Sequence, residues 1–178
     1  MRRPLATDPV VPPSLTIRLK RHADGSASIT CTRPDGSVTW QRQKGKLGMV
    51  FPPHDITHYA VEATLGYRAG FYGLVADGWN IEDFAAPWPR GDIPAEAREV
   101  ELIVGCLDSE RRNASRWSAR EFNDHARVYV SATRFRDTPV PELSDAQLDD
   151  VRVCRDGILA RWHALALGES IELSFQRS

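Results

Sequence analysis

Apolar and polar residues alternate along three early stretches, 15–20, 27–32 and 38–42. A period of two is that of a half-buried strand. Asp24-Gly25 and Pro34-Asp35-Gly36-Ser37 separate the stretches and carry turn chemistry. The pattern predicts an antiparallel meander with one apolar and one polar face. Arg18, Lys20, Thr30, Thr39 and Gln41 fall on the polar face; Val38 and Trp40 fall together on the core face. Three strands alone are marginally stable, so the apolar face needs a cover.

Beyond residue 50 the period lengthens to that of helices. Pro52-Pro53 ends the strand pattern, and a helix is expected over 54–65, with Ile56, Tyr59, Ala60, Val61 and Ala63 apolar and Gly66 as its stop. A short helix fits 69–76, and Asn80 N-caps a further turn ending at Phe84. Asp92 and Pro94 open a helix over 94–109 with the stripe Ala97, Val100, Ile103, Val104, Leu107. Ser118 and Glu121 form a capping box before a segment read as helix, with a strand at 128–130 as the alternative. Ser144 and Gln147 form a second box and open the longest helix, 145–167. Residues 171–175 alternate again.

Three strands, then helices, then one strand predict an α+β, two-layer fold. Its four-stranded antiparallel sheet joins the three N-terminal strands to the C-terminal one, with helices over one face. A proline-rich leader is expected over 1–13 and a single domain over 14–178.

Composition narrows the class. The chain has 178 residues and a formal net charge of −1. That balance excludes a histone-like arm and a generally disordered chain. The near-zero total is a cancellation: residues 1–50 carry nine Lys/Arg against three acids, while residues 51–150 carry ten Arg against eighteen acids. No apolar run reaches membrane-spanning length. Cys31, Cys106 and Cys154 are odd in number and widely spaced, so a reducing, cytoplasmic setting without disulfides is expected. No phosphate loop, GxGxxG or GxSxG occurs.

One constellation carries chemistry: His54-Asp55-Ile56-Thr57-His58, followed by Glu62. Histidines four apart on a helix lie about 40° apart around the axis and one turn along it. Both imidazoles can then reach one ion at the ~2.0–2.1 Å that zinc requires. The pattern H-D-x-x-H resembles the H-E-x-x-H of zinc metallopeptidases over these five residues, with Asp55 where that family has its general-base glutamate. The resemblance implies zinc or another divalent metal on His54 and His58 and a hydrolytic reaction on a small-molecule or peptide substrate. Glu62 sits roughly 12 Å along the helix from His54, too far to share the ion, and is better placed to orient His58. The third ligand must come from elsewhere; His125 is the first candidate, with His163 and Asp124 as alternatives.

Three other readings compete. If the prolines delay the helix, Asp55 becomes its N-cap, His54 falls outside it, and His58 is a core histidine paired with Glu62. His54, Asp55, His58 and Glu62 can also serve as metal-free acids and bases. A different class is a non-catalytic binding module in which the basic sheet face meets an anionic partner; nucleic acid is disfavoured because no exposed aromatic platform is predicted.

Overall fold

The computed structural model describes residues 14–132 and 138–176. The expected 1–13 leader lies outside them. Four strands, β1 (Leu15–Arg21), β2 (Ala27–Thr32), β3 (Val38–Gln43) and β4 (Ser170–Phe175), form one antiparallel sheet in the order β3-β2-β1-β4. The C-terminal strand joins the meander as expected, and its partner is β1: Ile17 lies opposite Leu173 and Leu19 opposite Ile171. The helices are α1 (Leu47–Leu65), α2 (Phe71–Ala76), α3 (Ala95–Arg112), α4 (Ala119–Ala132) and α5 (Asp145–Ala164), with a 3-10 turn at Ile81–Phe84. The segment after Ser118 is therefore helix, not strand. No helix among the described residues is long and apolar enough to cross a membrane.

The helices cover one face of the sheet, and α1 lies at the centre of the fold. One side of α1, through Ile56, joins the sheet residues Leu15, Ile17, Leu19, Ile29, Leu173 and Phe175 in a first core. Another side, through Ala60 and Val61, joins Val100, Val104 and Leu107 of α3, Phe122 of α4 and Leu148 of α5 in a second. A helix shared by two cores has little surface left for water.

Three expectations need correction. First, α1 starts at Leu47 and holds Pro52 and Pro53 inside it. Each proline removes one intrahelical N–H donor, normally a cost of ~3 kcal/mol or more. Both are buried, and the packing around them offsets the loss. Gly48 makes the early start possible: a Cβ there would stand 2.9 Å from the Gln43 carbonyl oxygen, so only glycine lets this turn approach the sheet. Asp55 is consequently not an N-cap, and His54 lies well within the helix.

Second, β3 has the opposite phase to the one expected. Thr39 and Gln43 are buried on the inner face, while Val38 and Trp40 point outward, Trp40 being 62% exposed. The connection at Arg33–Ser37 pairs Thr32 with Val38 and Thr30 with Trp40, and this register outweighs the hydrophobic alternation. Thr39 compensates by accepting the Ile81 backbone N–H at 2.9 Å. Third, Pro94, not Asp92, stands at the N-terminus of α3, which runs on to Arg112.

All three cysteines are free. The second core also holds a buried ion pair, Arg152 of α5 with Glu110 of α3, at 2.5 Å. Glu110 further accepts the Trp117 backbone N–H at 2.6 Å, and Arg152 donates to the Trp117 carbonyl at 2.7 Å. The pair thereby ties the α3–α4 connection to α5.

Candidate metal centre

Because α1 is continuous through its prolines, His54 and His58 sit one turn apart on the same face. Their rings meet edge to face at 4.8 Å between centroids. This face looks toward α3, which contributes Glu101. The Nε2 of His58 lies 3.3 Å from Glu101 Oε1. One donor atom from each of His54, His58 and Glu101 lies within 4.8 Å of the others. A tetrahedral ion with ~2.0–2.1 Å bonds needs its donor atoms about 3.3 Å apart, so the His58–Glu101 edge already has that length. Two imidazoles and one carboxylate are also a donor set that catalytic zinc sites use, with the fourth position left for water or substrate.

The other nitrogen of each histidine faces a second carboxylate. His54 Nδ1 lies 2.9 Å from Asp108 Oδ2, which fixes the ring and leaves Nε2 for the site. Asp108 is buried and is itself held by Thr57 and by Arg111, each at 3.4 Å. Burial pushes its carboxyl up, but His54 and Arg111 outweigh this and hold it below the usual carboxylate range. His58 Nδ1 faces Glu62 Oε1 at 3.6 Å, beyond hydrogen-bond length. Burial opposes the charged imidazole of His58, yet Glu101 and Glu62 together push its pKa up to about 10.

Glu62 is buried and does not line the cleft. Its two oxygens accept the backbone N–H groups of Tyr72 at 3.2 Å and Gly73 at 3.0 Å, at the start of α2. It packs so tightly on Gly70 that a Cβ there would come within 2.4 Å of its carboxyl carbon. Glu62 thus anchors α2 to α1 while standing behind His58, the orienting position and not a ligand position. Asp55, between the two histidines in sequence, does line the cleft. Burial drives its carboxyl up to about 7 against the pull of His54 and His58. The Tyr72 hydroxyl donates to the Asp55 carbonyl at 3.1 Å and steadies this turn of α1.

The cleft over these groups has a volume of about 630 Å³. Its walls are mainly apolar, from Phe51, Phe71, Ile81, Phe84 and Trp88, with Gln41, Asp92 and Arg98 as polar points. His125 is not part of the cluster: it stacks on Trp117 at 4.4 Å between centroids and lines a neighbouring cleft. His163 is exposed on α5, and Asp124 pairs with Arg127 on α4. The residue that joins His54 and His58 is Glu101, and not His125, His163 or Asp124, the candidates that the sequence suggested. Its signal was present. Arg98, Glu101, Asp108 and Arg112 recur at helical spacing on α3, along one edge of its apolar stripe.

No protein-family model matches the chain, no curated protein is similar to it, and no solved structure matches it. The site's own chemistry therefore carries the functional argument.

Proposed function

We propose that the protein is a divalent-metal-dependent hydrolase, with His54, His58 and Glu101 as metal ligands. The observation that carries this reading is the convergence of these three side chains at the floor of an apolar cleft, with each histidine backed by a further carboxylate. A bound zinc or similar ion supplies Lewis acidity that polarises a carbonyl and makes water a nucleophile at neutral pH. The chain supplies the rest. Asp108 holds the His54 imidazole by a hydrogen bond, and the Glu62 carboxylate stands behind His58. Asp55 accepts the proton of the attacking water and returns it to the leaving group. The apolar walls bind the substrate and exclude bulk water. Asp55 is one methylene shorter than the glutamate of the H-E-x-x-H pattern, so it works closer to the helix axis.

The test is metal uptake by protein stripped with chelator, reloaded with zinc and dialysed. One equivalent is expected in the wild type, and a loss of affinity of roughly 100-fold or more in His58→Ala and in Glu101→Gln, beyond the range seen for outer residues. A wild-type protein that retains no metal at any pH overturns the proposal.

A second reading, a binding module on the outer sheet face, gains one observation: Trp40 stands exposed there with Arg18, Lys20 and Arg42. It is the weaker reading, because Arg18 pairs with Glu172 and Arg42 with Asp24, which reduces the positive field an anionic partner would meet.

A further inference from the structure

The candidate ligands stand where two clefts meet. A second cleft, of about 350 Å³, shares Phe51, His54 and Glu101 with the first and runs on along α3. Its chemistry differs. The first cleft is walled mainly by aromatic and aliphatic side chains; the second is walled by Val50, Gly105, Ser109, Arg112, His125 and Tyr129. Asp108 also borders it, but that carboxylate is engaged by His54, Thr57 and Arg111. Arg112 is exposed and makes no hydrogen bond or ion pair among the described residues. A guanidinium with all its donors available, at the end of a groove, is a carboxylate receptor.

Gly105 keeps the groove open. Positions 101, 105, 108 and 112 follow one face of α3, so any side chain at 105 would project between Glu101 and Arg112. A Cβ there would have the Tyr129 hydroxyl as its nearest neighbour, at 3.7 Å, an ordinary contact. Glycine in the middle of a helix costs roughly 1 kcal/mol relative to alanine, and the lack of a side chain at 105 leaves the space between Glu101 and Arg112 clear.

We infer that the site takes a short, extended, peptide-like chain laid across both clefts. An apolar or aromatic residue fills the larger cleft, and a free terminal carboxylate is held by Arg112 in the smaller. This rests on the metal-centre reading for the position of the scissile bond, but not for the binding of the chain. From Glu101 to Arg112 the helix advances eleven positions, about 16 Å along its axis. At about 3.4 Å per residue, an extended chain of roughly five residues covers that distance. Hydrolysis adds water across one amide, giving a carboxylate on the acyl side and an amine on the other; no oxidant or reductant is needed.

The test uses a five-residue peptide with an acetylated N-terminal phenylalanine, as the free acid and as the C-terminal amide. Calorimetry on chelator-treated protein measures binding, and zinc content is assayed separately on reloaded protein. The free acid is expected to bind ~10-fold or more tighter than the amide, in line with a charge-assisted pair. Arg112→Gln should erase that gap, and Gly105→Leu should reduce the acid to the level of the amide. Because Arg112 is exposed and leucine is a good helix former, both variants should fold, which far-ultraviolet circular dichroism checks. Equal binding of acid and amide, a gap that survives in Arg112→Gln, or no binding of either peptide overturns the inference. Failure of the metal-centre reading shows up separately, as absence of retained zinc.

Discussion

Replacing Asp55 by asparagine should stabilise the metal-free protein, and increasingly so as pH rises. Burial raises the Asp55 pKa from 3.8 to about 7. A carboxyl whose folded pKa lies above its unfolded value carries no penalty while it is protonated in both states, below pH ~4. The penalty for ionising grows as pH rises to the folded value and is constant above it. Each unit is worth about 1.4 kcal/mol, so three units set a ceiling of ~4 kcal/mol at pH 8. Asp55 keeps a partly exposed edge on the cleft, where water relieves part of that cost, and ~2 kcal/mol is the expected gain. Asparagine has nearly the same shape and no charge to bury. Urea unfolding of both proteins in chelator at pH 4, 6 and 8 measures the difference. It should be near zero at pH 4 and largest at pH 8, while zinc-dependent hydrolysis is lost. A difference independent of pH, or a variant less stable than wild type at pH 8, refutes the reasoning that this carboxyl is held in a poorly solvated place.

Two further predictions concern the scaffold. Gly70→Ala should destabilise by ~1–3 kcal/mol in urea unfolding, because its Cβ meets the anchored Glu62 carboxyl while the backbone there is ordinary, with φ of −75°; wild-type stability would show that Glu62 is free to move. Arg152→Ala should cost ~3–5 kcal/mol by leaving Glu110 buried and uncompensated, and Arg152→Ala with Glu110→Leu should recover much of it in the same assay.

Much of the sheet was legible in the order of residues. Strands β1, β2 and β4 each bury one face, so their alternation could be read directly. The edge strand β3 has a weaker constraint, since Thr39 can satisfy a backbone donor inside and Trp40 can stand outside. There the turn sets the register. The start of α1 was hidden for a different reason. Local rules place a helix boundary at Pro52-Pro53, and only the packing of Gly48 on the sheet overrides them. The histidine pair was visible as a spacing, but Glu101 lies forty-three positions beyond His58 on another helix. A side chain that joins a site through the approach of two helices leaves no spacing to read. What did mark it was a polar stripe on α3 facing the centre of the fold.

The two prolines of α1 have a consequence for how the molecule opens. The carbonyls of Gly48 and Met49 lose their usual donors, so the segment Leu47–Phe51 is joined to the rest of the helix by fewer backbone bonds than any other turn of it. Leu47, Met49 and Val50 are largely exposed and add little packing to hold it. This turn should behave as a separate unit of low opening free energy, with amide protons that exchange far faster than those of Ile56 to Val61. Phe51, which borders both clefts, travels with it. The stable half of the helix would then hold the histidines in place while the first turn, tied to the sheet at Gly48, sets how readily the way to them opens.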